Sequence, residues 1–399
     1  MAKTVGQRQA SEQPEGTGQS SAATHTAAAG QRTCPTRLVR HSDVVAAATN
    51  PEAFSSATSS HLHVPNTMDG EEHRVFREIV DRYMAPDVVA SLEPMFAEVA
   101  AQIVADLPRG STVDAVTDFG SLFAVRAQCR WLGWPQELEE ELLTWMQQNE
   151  EAAREGDPAR NAAVAEAFDG IVRRQVEVRR RAEQAGTPMQ DVTAQLLEET
   201  VYGRPLSVEE IVSMLRNWTA GDLGSLARCV GVVVTRLIEE PVLQERVREL
   251  ASASGEQSPT TARGIEEFEA IIDECLRIVD PFASNRRVTT CPVALPSGQE
   301  FDADHHVLLD WAAANRDSDV FDGEQGPDTF RPREHRPDNL VYGAGPHACP
   351  GRTLSTVELR LALSALLSAT TSLSPAQDES PVPAEAPLLG WARVPIVLG

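Results

Sequence analysis

The sequence predicts a mainly α-helical protein carrying a few small β-sheets, on three observations. Alanine, leucine, arginine and glutamate, all strong helix formers, are plentiful along the chain. A capped, apolar run from Ser207 to about Glu240 reads as one helix of about 33 residues, roughly 50 Å long at 1.5 Å per residue. Strand-like segments are short and cluster near residues 286–309.

Taken in order, the elements follow from local chemistry. Residues 1–33 are Gly, Ala, Ser, Thr and Gln with few large apolar groups, so they cannot bury enough surface to order themselves. They are expected to form a disordered tail, and residues 34–399 one domain. Arg37–Arg40 reads as a short strand, and Ser42-Asp43 as the cap of a following helix. The polar stretch 54–70 reads as a loop. Helices are expected from His73 to Arg82 and from Pro86 to Ala105, where Val88, Val89, Leu92, Met95, Phe96 and Val99 fall at helical spacing. Further helices are expected at 115–132, 135–150 and 158–186. Ser207-Val208-Glu209-Glu210 is a capped helix start, and the long helix it opens stops before Pro241. A helix this long and apolar is central and buried. A helix at Glu266–Arg277, strands near 286–294, 299–302 and 306–309, and a last helix from Arg352 to about Leu367 follow. Residues 388–398 read as a terminal hairpin or loop pair.

The formal net charge is −24. That argues against binding nucleic acid, since neutralising phosphates needs clustered Lys and Arg, and against attachment to an anionic membrane. No apolar run of about 18 residues stands out as a span, and no basic-then-apolar signal pattern opens the sequence. A cytoplasmic location is therefore expected. Cys34, Cys129, Cys229, Cys275, Cys291 and Cys349 form no Cys-x-x-Cys pair, the pattern of a reduced protein.

The informative segment is Tyr342-Gly343-Ala344-Gly345-Pro346-His347-Ala348-Cys349-Pro350-Gly351-Arg352. Its glycines permit a tight loop that other groups approach closely. Cys349 falls at a helix N-terminus, where backbone N–H groups and the dipole favour a thiolate. Gly351 leaves no side chain to obstruct a planar ligand. A lone cysteine is more often a buried structural residue; the ordered set of Gly343, Gly345, His347, Cys349 and Gly351 shifts that balance.

This segment resembles the haem-binding signature of the cytochrome P450 family, with Tyr342 in place of the usual Phe. Other segments resemble the family in the right order. Glu274 and Arg277 look like its Glu-x-x-Arg pair, with Arg331 or Arg333 expected as a third member of a structural network. His73 and Arg77, together with Arg287 and His347, look like its contacts to the haem propionates. Ala312-Ala313-Ala314-Asn315-Arg316-Asp317 also matches. The resemblance implies a helical triangular prism with small β-sheets, holding haem b (iron protoporphyrin IX) on Cys349. The opposite face of the haem would lie against Ala220 and Gly221. It implies a monooxygenase that inserts one oxygen atom into a small organic substrate. Asn217, Phe282, Ala283, Ser284 and Asn285, with Phe54, Leu62 and Val64, are the implied pocket walls. Electrons would come from a ferredoxin and its ferredoxin reductase, docked near Arg316, Arg333, Arg336 and Arg352.

The sequence departs from the family where oxygen is activated. The long helix carries Thr219-Ala220-Gly221-Asp222-Leu223-Gly224-Ser225. Aligned on Ala220-Gly221, Leu223 takes the place of the family's acid and Gly224 that of its alcohol. Aligned back from Pro241, Gly224 takes the acid position and Ser225 the alcohol position. The second frame preserves a hydroxyl, with Asp222 one turn away as a proton source through water. Neither frame supplies the usual acid–alcohol pair. The rival readings are therefore a peroxide-using or otherwise atypical haem-thiolate enzyme, and a non-catalytic haem- or ligand-binding protein.

Overall fold

The computed structural model describes residues 34–59, 61–252, 262–282 and 284–399. The expected tail, 1–33, and the pocket candidate Ala283 lie outside the described residues.

The helices run α1 (His41–Ala48), α2 (Gly70–Tyr83), α3 (Pro86–Asp106), α4 (Leu122–Leu132), α5 (Glu139–Glu155), α6 (Pro158–Gln184), α7 (Val192–Glu198), α8 (Val208–Glu239), α9 (Pro241–Ala251) and α10 (Ala262–Ile278). The short α11 (Trp311–Ala314) and α12 (Pro332–His335) and the long α13 (Arg352–Ser368) complete them. A π-helical segment, Ala115–Ser121, leads into α4. The long helix forms as expected: Ser207 Oγ accepts from the Glu210 amide, and the Glu210 carboxylate accepts from the Ser207 amide. Helix α8 is central and packs against α4, α6, α10 and α13.

Strands β1 (Thr36–Leu38) and β2 (Phe54–Ser55) join β6 (Ser284–Thr289) and β9 (His306–Asp310) in a sheet of order β1-β9-β6-β2. Strand β1 is parallel to β9, and the other pairs are antiparallel. The remaining strands are β3 (Thr112–Asp114), β4 (Thr200–Val201), β5 (Arg204–Pro205), β7 (Val293–Ala294), β8 (Glu300–Phe301), β10 (Leu373–Pro375), β11 (Val382–Pro383), β12 (Trp391–Arg393) and β13 (Pro395–Leu398).

Four expectations are corrected. Ser42 and Asp43 lie inside α1, and Asp43 Oδ1 instead accepts from the Ser297 amide, so a long-range partner outcompetes the local cap. Pro241 both stops α8 and opens α9, because proline suits the first turn of a helix. Strand β13 does not close a terminal hairpin; it pairs with β3 and β10. Helix α3 is long and apolar enough to cross a membrane by length and composition. In the fold its Val89, Phe96, Val99, Ile103 and Val104 are buried, and it packs on α13 and α4.

Candidate functional site

The Cys349 loop is built by glycines. Gly343 and Gly345 take left-handed φ values of 70° and 73°. A Cβ on Gly345 would fall 2.3 Å from the Ala48 carbonyl oxygen, so the close approach of α1 admits only glycine there. The Cys349 amide donates to the Tyr342 carbonyl at 2.8 Å, and the Tyr342 ring is buried with its hydroxyl 3.1 Å from Thr356 Oγ1.

Cys349 faces a cavity of about 500 Å³ enclosed between this loop, α8, α4 and β6. Of the expected site residues, Asn217, Gly221, Asp222, Ser225, Phe282, Ser284, Asn285, Arg287, Tyr342, Gly343, His347, Cys349 and Gly351 all line it. Burial pushes the Cys349 thiol pKa up, against the lowering by the Gly351 amide. Gly351 lines the cavity beside the cysteine, and a Cβ there would make only ordinary van der Waals contact, with Cys349 Sγ at 3.7 Å and Met84 Sδ at 3.8 Å.

Basic groups gather at one rim. Arg287 on β6 is 7% exposed, and the hydrogen bond it makes goes to its neighbour, the Arg286 carbonyl, at 2.7 Å. Its other donors meet no acceptor among the described residues. The His73 and His347 rings lie 4.0 Å apart. Burial, aided by His73 and Arg287, pushes His347 down to about 4, and burial and Arg77 lower His73. His347 Nε2 meets Ser56 Oγ at 3.0 Å and Asp69 Oδ1 at 3.3 Å. Arg77 donates to Asp81 and to the Pro346 carbonyl, tying α2 to the cysteine loop. A buried guanidinium short of acceptors and two imidazoles beside a mostly apolar cavity fit a planar ring bearing two carboxylates. The expected haem therefore suits these residues.

The Glu274–Arg277 pair is buried, and the five hydrogen bonds of Arg277 go to both Glu274 oxygens and the carbonyls of Asn315, Pro327 and Thr329. The third member differs from expectation. The Arg331 side chain turns outward to Glu334; its amide, and His335 Nδ1 at 2.7 Å, meet Glu274 instead. Arg316, Arg333, Arg336 and Arg352 are each ion-paired, to Asp328, Glu267, Glu269 and Asp273, or Asp273.

Other candidates fall outside the cavity wall. Ala220 packs against the core, and Gly224 faces Arg228. Phe54 belongs to β2 and a second core cluster. Leu62 is exposed and Val64 is buried, their loop pinned to α8 by Ser213, Arg216 and Asn217. Pro65 and Asn66 from that loop reach the cavity instead.

Asp222 does not pair with Ser225. Its carboxylate accepts from Gln128 Nε2 at 2.7 Å and from Ser355 Oγ at 3.3 Å, and burial pushes it up to about 6. Glu358, one turn past Ser355 on α13, is fully buried with neither oxygen hydrogen-bonded among the described residues, and burial raises it well above the usual carboxylate range. Sequence reasoning missed Gln128, Trp131, Trp218 and Arg228, which also line the cavity. Arg228 had a legible signal: it is the single charge in the apolar run Leu223–Ile238 apart from Arg236.

Comparison with known proteins agrees with this arrangement. The family model described as Cytochrome P450 matches residues 157–398, more than half of the chain. Cytochrome P450 109 of Bacillus spizizenii is 27% identical over 368 residues, covering 90% of this chain and 85% of the relative. Erythromycin C-12 hydroxylase of Saccharopolyspora erythraea is 25% identical, covering 91% and 89%. The structure of a mutant of P450 EryK in complex with erythromycin B matches with a TM-score of 0.77 at 25% identity, covering 91% of this chain and 90% of that one. Ligand-free cytochrome P450 TbtJ1 matches the fold with a TM-score of 0.77 at 24% identity over 91% of both chains. With the cysteine loop, the basic rim and the cavity between them, these matches establish that the chain belongs to the cytochrome P450 family of haem b-binding monooxygenases.

Proposed function

We propose that this chain hydroxylates a small organic substrate, with Cys349 as the thiolate that would hold the haem and electrons from a separate ferredoxin and ferredoxin reductase. The observation that carries this is Cys349 on the wall of the cavity, opposite α8 and beside Arg287 and His347. Haem bound there supplies dioxygen activation, and a thiolate ligand favours cleavage of the O–O bond. Arg287, His347 and His73 would hold the propionates, with Arg77 bracing the loop. Gly343 and Gly351 leave room for the ring beside Cys349. Gly221, Asn217, Phe282, Ser284 and Asn285 would shape the substrate side. Ser225 presents its hydroxyl to that space, and Asp222, held near a pKa of about 6, would hold and release a proton close by. The four arginines near Asp273 and Asp328 remain 30–53% exposed despite their ion pairs, which supports an acidic partner docking there.

A second reading, that hydrogen peroxide supplies the oxygen, is favoured by one observation: Asp222 is bonded to Gln128 and Ser355, not to Ser225. Turnover of a substrate panel with NADPH, ferredoxin and reductase, run beside peroxide alone, separates the two. Product in the first arm is expected; product only with peroxide selects the second reading.

A further inference from the structure

Helix α8 brings one cation into the cavity. Arg228 lies one turn beyond Ser225, lines the cavity wall, and has a side chain only 12% exposed. Of its five N–H donors, Nη1 alone is hydrogen-bonded among the described residues, to Glu150 Oε1 at 3.3 Å, and Nε is buried with no partner. Glu150 stands on α5 with 41% of its side chain exposed, a solvated partner on the outer side. Room for the guanidinium is provided from α8 itself: a Cβ on Gly224 would come within 3.2 Å of Arg228 Nη1. The glycine that stands where the family's relay residue is expected is thus the residue that lets Arg228 lie along the helix.

A buried guanidinium with open donors needs an anion to offset its desolvation, and its planar fork matches a carboxylate through two parallel hydrogen bonds. The surrounding wall, including Val80, Leu226, Phe282 and Leu388, is mostly apolar. We propose that Arg228 is the anchor for a carboxylate on the substrate, so that this enzyme takes organic acids with an extended apolar body. This rests on the monooxygenase reading above and names its substrate class. The other cavity arginine, Arg287, sits beside His347 and Asp69 and serves a different carboxylate, that of the haem.

The test uses the haem-loaded full chain with dodecanoate and dodecan-1-ol as matched probes, read by the shift of the haem absorption on binding. Wild type is expected to bind dodecanoate about tenfold tighter than the alcohol. Arg228→Gln is expected to erase that preference while leaving the alcohol's affinity within about twofold. Glu150→Gln, on the surface, is expected to strengthen dodecanoate binding several-fold, because it frees the guanidinium from its competitor. Equal affinity for both probes in wild type, or a preference that survives Arg228→Gln, overturns the proposal. So does an Arg228→Gln protein that no longer retains haem, which would assign Arg228 to the haem carboxylates. The carbon monoxide spectrum of each reduced variant reports thiolate ligation separately, so a failure of the anchor is distinguishable from a failure of the haem-thiolate reading.

Discussion

Arg277 and Arg228 are both buried guanidiniums on core helices, and the fold treats them in opposite ways. Arg277 is fully enclosed and has five hydrogen bonds, two to Glu274 and three to carbonyls of the chain that follows α11 and precedes α12. Arg228 makes a single 3.3 Å bond to an exposed acid, with the rest of its donors unused among the described residues. The first arrangement is what a chain builds when it needs the charge itself, to lock α10 against the segment leading to the cysteine loop. The second leaves the charge for something that arrives later. The same contrast separates Glu274, met by Arg277, Arg331 and His335, from Glu358, whose oxygens have no hydrogen-bond partner among the described residues. Among the described residues, four cavity-lining side chains hold a buried polar atom without a partner, Gln128 Oε1, the indole nitrogens of Trp131 and Trp218, and Arg228 Nε, while others such as Glu358, Thr235 and Ser364 lie away from the cavity.

The contrast is broken most directly at its structural end. Arg277→Leu leaves the Glu274 carboxylate buried without its main partner, and removing one member of a buried pair costs about 3–5 kcal/mol. Urea unfolding of this variant is expected to show that loss or no folded protein at all; a cost under about 1 kcal/mol, the range of surface pairs, would erase the distinction. Arg287→Gln should act differently. It removes a charge whose proposed partner is haem, so the fold should persist while haem transfer to apomyoglobin speeds by about tenfold or more, the worth of a charge-assisted bond. Unchanged haem retention would remove Arg287 from the propionate site.

Asp222 sharpens the comparison through pH. Its folded pKa, about 6, lies above the ordinary aspartate value of 3.8. The neutral acid is thus favoured in the fold, and the stability it contributes is full below about 4 and lost as pH rises through 6. Asp222→Asn should therefore stabilise the protein above pH 6, by at most about 3 kcal/mol. The gain should be smaller at pH 5 than at pH 8 in parallel urea titrations. A gain that does not depend on pH would show that burial of the charge is not its source. The smallest effect is expected at Gly224→Ala. The added methyl crowds Arg228 Nη1, so dodecanoate affinity should drop a few-fold with thermal stability little changed, alanine being the better helix former.

How much was legible in the sequence follows the same line. The cysteine loop could be read because its glycines, His347 and Cys349 act within eleven consecutive residues, and the start of α8 because a capping box is local. The partners of Asp222 could not, since Gln128 and Ser355 lie 94 and 133 residues away. His335 was missed for Arg331 because the chain supplies Glu274 with a backbone amide where a guanidinium was expected. Helix α9 was missed because Pro241 reads equally as a stop and as a first helical turn. Arg228 was passed over as one charge in an apolar run, and only packing reveals that its donors are left open.

The central claim is that Cys349 ligates haem iron as a thiolate. The most direct measurement is the absorption spectrum of the dithionite-reduced, haem-loaded protein under carbon monoxide, with Cys349→His beside it. The account predicts a strongly red-shifted Soret band in the wild type that the variant lacks. A band at the ordinary position in both proteins would contradict it.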